Sequence, residues 1–216
     1  MSPDDLVYEH EDVFTLPGQV KTYMGNMGRT WPLTEDSRFD LVGVFAQLRA
    51  CGRWPRAVNL WEMSWRKLCL ATEQQYLDPR PLMEGWWLKS NVERSGGWDR
   101  FCKPGPGSPP LGEIAKGPRL PCVVQQIVRL RDGARDDYLA WVHERVAPRV
   151  AQCGWRTLLW LGALHSPTAI VYHAAPAWSG LDELSSALPL PDPAWRAAAD
   201  SSLLEAWSES RYLQRT

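Results

Sequence analysis

The chain has 216 residues, with 24 basic and 25 acidic side chains and a formal net charge of −1 at neutral pH. This balance offers no strongly basic surface, which excludes nucleic acid and an anionic membrane as expected partners. The length is sufficient for one large domain, or for two small domains that share a hydrophobic core.

The sequence indicates a cytoplasmic protein. Residues 1–5 are polar and acidic, unlike a secretion signal, and no apolar run approaches the roughly 18 residues of a membrane span. The five cysteines are scattered and form no Cys-x-x-Cys pair. Scattered cysteines are typical of reduced thiols in the cytoplasm.

Hydrophobic periodicity predicts an alternation of strands and helices in the first half. In the first strand, period two places Tyr8, His10 and Asp12 on one face. The predicted elements are, in chain order, a strand over 6–16, a helix over 19–28, strands over 41–48 and around 60–61, helices over 65–76 and 81–92, and a strand over 97–103.

A linker and a second set of similar elements follow. Residues 104–121 include six prolines and four glycines, too many for a helix or a strand. The predicted elements after it are a strand over 122–130, a helix over 134–152, strands over 156–164 and 168–174, a helix from about 180, a helix over 194–207, and a last strand over 210–213.

The repeated order predicts a tandem duplication. It divides the chain into a first ferredoxin-like repeat (1–103), the Pro/Gly-rich linker (104–121) and a second ferredoxin-like repeat (122–216). A βαββαβ unit forms an antiparallel sheet with helices on one face. Two such sheets would pack face to face as an α+β, pseudo-dimeric α/β barrel, and the chain is also compatible with a homodimer.

Two segments carry a family resemblance. Leu60-Trp61-Glu62-Met63 with Trp65-Arg66, and Arg94 to Arg100 leading to Lys103-Pro104, resemble NIPSNAP-family proteins of actinobacterial type. The resemblance implies the dimeric α/β-barrel superfamily, which includes cofactor-free monooxygenases, haem-binding enzymes, isomerases and lyases. It therefore supports the fold and leaves the reaction open.

His143 is the first catalytic candidate. The apolar stripe of its predicted helix includes Leu139 and Val146, which places His143 on the inward half. An imidazole, with a reference pKa of about 6.5, can give and take protons near neutrality. The alternative is a histidine at the edge of the core, bonded to a carbonyl or to a nearby carboxylate.

His10 and Asp12, with Tyr8 beside them, form the second candidate. A carboxylate next to an imidazole can fix its tautomer and raise its basicity. The alternative is a solvated strand end, because Glu9 and Glu11 make the whole segment polar.

Thirteen tryptophans either fill the core or line a pocket for a flat organic ligand. The candidate residues for binding an aromatic or apolar small molecule are Tyr8, Trp61, Tyr138, Trp160 and His173.

Motifs for cofactors are absent from the sequence. The histidines and cysteines lack metal-ligand spacing, and there is neither a phosphate-binding glycine loop nor a nucleophile elbow. We therefore expect no metal and no organic cofactor. A haem held by one axial histidine requires no spacing and stays open.

These observations predict a cofactor-independent tailoring enzyme of secondary metabolism. It would be a cyclase, isomerase, lyase or oxygenase that acts on an aromatic or polyketide-like molecule in a Trp-lined cavity, with acid–base help from His143. The alternative is a non-catalytic NIPSNAP-like protein that binds a ligand or partner through apolar surface alone.

Overall fold

The strands of the chain close into one antiparallel barrel. A computed structural model describes residues 5–29, 40–48, 54–70, 91–110, 120–188 and 196–206. Within these segments the strands follow the order β1-β3-β2-β8-β5-β7-β6-β4, with β4 returning to β1. The elements of the first half are β1 (Leu6–Thr15), α1 (Val20–Arg29), β2 (Asp40–Gln47), β3 (Arg56–Ser64), α2 (described over 65–70) and β4 (Arg94–Pro104).

The second half follows a similar order. Its long helix, α3, contains one π-helical turn between two α-helical parts. The elements are β5 (Cys122–Leu130), α3 (Arg135–Trp141, π-helical Val142–Val146 and Ala147–Gln152), β6 (Arg156–Ala163), β7 (Thr168–Ala175), α4 (Leu181–Ala187) and β8 (Arg196–Ala206).

Two seams join the halves. The first half contributes the run β4-β1-β3-β2 and the second half contributes β8-β5-β7-β6. The β2–β8 and β4–β6 pairs connect these runs at their edges. The predicted antiparallel sheets and α/β barrel are thus confirmed, and hydrogen-bonded edges close the barrel within one chain.

Glycine turns set the entry into the first helix of each half. Gly18 and Gly133 follow β1 and β5 and have φ angles of 80° and 81°. Backbone at positive φ is strained for most residues but not for glycine. These turns direct α1 and α3 back over the outside of the sheet.

The core has three parts. The barrel interior is packed by apolar side chains from both halves, including Tyr8, Leu60, Leu161 and Ile170. On the outside, one cluster lies beneath α1 and another lies beneath α3 and α4. Each strand residue therefore faces either the interior or a helix, and few strand positions in β1, β3, β6 and β7 face water.

The predicted helix over 194–207 is wrong. This stretch forms β8, which pairs with β5 from Leu130↔Arg196 to Cys122↔Glu205. Its alanines and leucines fit either periodicity, and the ladder positions offered by β5 and β2 decide in favour of a strand. The predicted strand over 210–213 and nearly all of the predicted helix over 81–92 lie outside the described residues.

None of the helices in the described segments is long and apolar enough to cross a membrane.

Cleavage of the chain between residues 111 and 119 should leave two fragments that stay together. Each fragment alone would expose its share of the interior cluster, an apolar surface larger than monomers tolerate. We expect the fragments to co-elute on gel filtration at the mass of the intact chain. Elution as two separate soluble monomers would contradict the shared interior.

Candidate functional site

The inner face of β1 carries Tyr8, His10 and Asp12, which the sequence predicted as a candidate site. β1 lies between β3 and β4, so both of its edges are hydrogen-bonded. Tyr8 belongs to the interior cluster, and His10 and Asp12 follow it on the same face. The predicted shared face is confirmed. The alternative of a solvated strand end is wrong, because His10 is 0% and Asp12 3% exposed.

Asp12 is held by two arginines. Arg56 Nε donates to Asp12 Oδ1 at 2.7 Å, and Arg56 Nη2 donates to the same oxygen. Arg100 Nη1 donates to Oδ2 at 2.7 Å. Burial opposes ionisation of Asp12, but the neighbouring His10, Arg56 and Arg100 outweigh it and lower the pKa of this carboxyl. Asp12 is therefore a carboxylate that orients two guanidinium groups.

Gln125 connects this ion pair to His10. Its Oε1 accepts from Arg56 Nη2 at 2.7 Å, and its Nε2 lies 2.8 Å from both His10 Nε2 and Tyr172 Oη. A guanidinium can only donate, so the oxygen of the Gln125 amide must face Arg56. The amide nitrogen then donates to His10, whose Nε2 must accept.

These contacts fix the tautomer of His10. With Nε2 accepting, a neutral imidazole carries its hydrogen on Nδ1. His10 Nδ1 lies 3.9 Å from Asp12 Oδ2, too far for a hydrogen bond, and it has no hydrogen-bond partner among the described residues. Burial lowers the pKa of His10 to about 4 against the pull of Asp12. At neutral pH the Nδ1–H of His10 is therefore a buried donor without an acceptor among the described residues.

A second polar cluster lies on the helix-facing side of β1. Glu11 pairs with Arg94 at 2.7 Å and accepts from Asn59 Nδ2 at 2.6 Å. Tyr23 Oη accepts from Asn59 and from Arg94 Nη2. Burial, with Glu11 and another carboxylate close by, raises the pKa of Glu9 to about 8. This cluster ties α1 to the sheet through Tyr23, whose hydroxyl is bonded to Asn59 and Arg94.

The inward position predicted for His143 is wrong. His143 is exposed and lies in the π-helical turn of α3, beside the buried row that includes Val142 and Val146. Its ring stacks on Trp160, with centroids 5.6 Å apart. Gly107, at φ 69°, packs so closely that a Cβ there would clash with the His143 ring. His143 thus covers the turn that follows β4.

The other predicted binding residues do not gather in one place. Only Tyr8 is inside the barrel, where its hydroxyl donates to Glu62 at 2.7 Å. Trp61 packs beneath α1, and Tyr138 and Trp160 pack with α3. The interior cluster, as far as its residues are described, contains no tryptophan, so the predicted Trp-lined cavity is not seen there.

His173 faces the helices as well. Its Nδ1 lies 3.0 Å from Thr157 Oγ1, and its Nε2 lies 3.3 Å from Gln126 Oε1. Both ring nitrogens are therefore engaged, and burial lowers the pKa of His173 to about 3. These contacts link β7 to β6 and β5 on that face.

Sequence reasoning missed four members of the interior site: Arg56, Arg100, Gln125 and Tyr172. Alternation could have placed Gln125 and Tyr172 on the inner faces of β5 and β7. Nothing in the sequence indicates that these two strands bring them to His10.

Metal ligands do not cluster in the described segments, where no group of three or more His, Cys, Asp or Glu is arranged to hold an ion. Cys69, Cys102, Cys122 and Cys153 are free thiols. Burial raises the pKa of Cys102 to about 12, which leaves it protonated.

Solved structures share this fold. A "putative monooxygenase" from Lactobacillus acidophilus is 11% identical, with a TM-score of 0.59 and 94% of each chain covered. An anthrone oxidase-like protein is 11% identical, with a TM-score of 0.58, covering 96% of this chain and 94% of its own. A chlorite dismutase mutant from Candidatus Nitrospira defluvii is 8% identical, with a TM-score of 0.56, covering 97% and 94%.

These similarities show the dimeric α/β-barrel fold. At such low identity they do not carry an activity over to this chain. No family model and no curated protein matches the sequence, so the NIPSNAP resemblance stays a prediction.

One structural neighbour, from Thermus thermophilus, is a haem-binding protein (TM-score 0.52, 11% identity, 95% and 92% covered). The space between the strands of the second half and α3 does not fit a haem. It is filled by apolar side chains such as Val124, Val142 and Val150. Both nitrogens of His173 are engaged. His143 lies outside this space, stacked on Trp160.

The tautomer of His10 can be measured. In nitrogen-15 spectra of histidine-labelled protein, Nδ1 of His10 should show the shift of a protonated ring nitrogen and Nε2 that of an acceptor. Because the pKa of His10 is about 4, both shifts should stay constant from about pH 5.5 to about pH 8. His10→Asn assigns the signals. A proton on Nε2, or titration near neutrality, would refute the proposed hydrogen-bond chain.

Neutral His173 should make stability depend on pH. Its pKa is about 3 in the folded state, against 6.5 as the reference for the unfolded chain. Below pH 6.5 the unfolded chain therefore binds a proton that the folded protein does not. The stabilisation by neutral His173 is complete above that pH and falls by roughly 1.4 kcal/mol per pH unit as pH drops.

Urea unfolding at several pH values, compared between wild type and His173→Gln, measures this dependence. The raised pKa of Glu9, about 8, stabilises the folded state at low pH, and this stabilisation is lost as pH rises through 8. Because Glu9 is present in both proteins, its contribution cancels in the comparison. Exposed His165→Gln is the control. A difference between wild type and His173→Gln that does not change with pH would contradict a neutral His173.

Proposed function

We propose that this chain is a cofactor-independent enzyme whose reaction passes through an oxygen anion of a small aromatic molecule, such as an enolate or a phenolate. One observation carries the proposal. A connected set of His10, Asp12, Arg56, Gln125 and Tyr172 occupies a barrel interior that packing alone would fill with apolar groups. Burying polar groups costs free energy of folding, and groups whose pKa is shifted by burial and neighbouring charges are often found at functional sites.

The site has the chemistry to stabilise such an anion. The Nδ1–H of neutral His10 is a fixed donor without a partner, and Arg56 and Arg100 bring positive charge beside it. Donors that are already in position, aimed at an oxygen where charge develops, are usually the largest contribution to catalysis. In this proposal the substrate proton passes to solvent near Arg100, whose side chain is 25% exposed.

The roles of the candidates change accordingly. His10 is the donor to the substrate oxygen, in place of the proton-transfer role first expected of His143. Asp12 orients Arg56 and Arg100, because its lowered pKa makes it a poor base. Several of the expected reaction types proceed through the same substrate anion. An isomerase would reprotonate this anion at another carbon, and an oxygenase would let it react with O₂.

Two structural neighbours support this class of reaction by their names, a "putative monooxygenase" and an anthrone oxidase-like protein. The competing proposal is a barrel that binds a ligand without chemistry. The full burial of His10 favours that alternative, because a substrate must displace neighbouring side chains to reach it.

We also propose that the two halves descend from one duplicated unit. Three pairs have the same separation of 115 residues: Gly18 with Gly133, Tyr23 with Tyr138, and His10 with Gln125. The glycines share a positive φ, and both tyrosines are buried residues of the helix that follows the glycine, α1 or α3. The third pair meets in the barrel interior. Duplication would explain why two corresponding positions, His10 in the first half and Gln125 in the second, are joined by one hydrogen bond.

Anthrone provides a test that does not require the natural substrate. Its two C10 hydrogens exchange in D₂O through the enolate, and proton NMR follows the loss of their signal. Wild type should accelerate this exchange, and His10→Asn should lower the enzymatic rate by about 10²-fold, the usual effect of removing one donor to an oxyanion.

His143→Gln is the matched control, since His143 lies on the outside. It should keep the wild-type exchange rate. Circular dichroism and the thermal midpoint establish that both variants are folded. Binding of anthrone without faster exchange would favour the non-catalytic barrel. Equal losses in the two variants would remove His10 from the site.

A further inference from the structure

One end of the barrel collects positive side chains. All neighbouring strands are antiparallel, so β1 and β5 run toward the same end, and β3 and β4 begin there. We call it the Asp12 end. The residues that define it are Asp12, Arg56, Trp98, Arg100 and Arg129.

β4 presents an aromatic ring and a guanidinium on the interior face of this end. Trp98 lies directly opposite Asp12 in the β1–β4 ladder, and residues opposite each other share a face. Arg100 and Cys102 continue the same face, and Cys102 belongs to the interior cluster. Trp98 is 58% exposed, so much of its indole is accessible from solvent.

Positive charge exceeds negative charge on this face. Arg129 continues the inward row of Gln125 and Ile127 along β5 and is exposed. Of the described side chains on the interior face of the Asp12 end, Arg56, Arg100 and Arg129 are cationic and only Asp12 is anionic.

The other charged side chains that the structure describes near this end do not change this balance. His10 is neutral. Glu11 and Asp99 lie on the opposite, helix-facing side, where Glu11 is paired with Arg94. Arg56 and Arg100 share the single carboxylate of Asp12, so an anion at the Asp12 end would meet excess positive charge. In partly buried surroundings such pairs are stronger than in water.

We propose that the Asp12 end binds a planar aromatic anion, with its negative group at Arg100 and its ring against Trp98. The proposal names the ligand class of the interior site and rests on the proposed function, because an anion at Arg100 lies on the approach to His10. Indole supplies a flat face for an aromatic ring, and guanidinium matches a carboxylate or a phenolate.

A pair of isosteric probes separates charge from stacking. Calorimetric titration of the whole protein at low salt should show that 2-naphthoate binds about tenfold more tightly than neutral 2-naphthamide. Arg100→Gln should remove this preference. Arg129→Gln, at an exposed position, should reduce it and serves as a second charge variant if Arg100→Gln does not fold. Trp98→Ala should weaken both probes by about tenfold.

Matched controls lie at the other end of the barrel. Trp65 and Arg66 follow the end of β3, are exposed, and belong to the same residue types. Trp65→Ala and Arg66→Gln should bind both probes like wild type. Equal affinity of wild type for the two probes, or equal losses in the control and test variants, would overturn the proposal.

The outcomes also separate this inference from the proposed function. If His10→Asn abolishes anthrone exchange while naphthoate shows no preference, the enzyme proposal stands and the anion subsite falls. If naphthoate binds through Arg100 while His10→Asn keeps full exchange activity, the subsite stands and the enzyme proposal falls.

Discussion

Closure of the barrel is the constraint on which the rest of the structure depends. Once β4 pairs with β6 and β2 with β8, the inner face of β1 has no access to bulk water along its length. A carboxylate on that face must find cationic partners inside the protein. Asp12 finds two, and the geometry of Arg56 then fixes the orientation of Gln125, which in turn fixes the tautomer of His10.

β1 separates two polar systems that its sequence interleaves. His10 and Asp12 face the interior, whereas Glu9 and Glu11 face α1. The second half has a similar arrangement with uncharged groups. The helix-facing contact between Glu11 and Trp61 in the first half corresponds to the contact between Gln126 and His173 in the second. The first half carries the charge in both systems, and the second half contributes neutral hydrogen-bond partners. The candidate site is therefore composite, and neither half contains it alone.

Local pattern predicted much of the fold. Alternation and glycine turns located β1, β5, β6 and β7 within a residue or two, because a half-buried strand imprints its period on the sequence. The pattern failed at β8. Its sequence fits the periods of both a helix and a strand, and pairing with β2 and β5 makes it a strand. It failed at His143 as well, because this residue lies beside the buried row of its helix, and periodicity does not distinguish the edge of that row from its centre. The shared face of Tyr8, His10 and Asp12 was predictable from alternation. Their partners were not, because Gln125 reaches His10 only through the three-dimensional path of the barrel.

The position of β8 has a consequence for synthesis. As the last strand of the described chain, β8 fills the gap between β2 and β5. Until residues 196–206 have left the ribosome, β2 keeps an unpaired edge, and the interior is open along one side. Unpaired edges of this kind can pair with other chains. The nascent protein thus spends most of its translation with an open seam, and β2 and β5 gain their partner on that side only when β8 arrives.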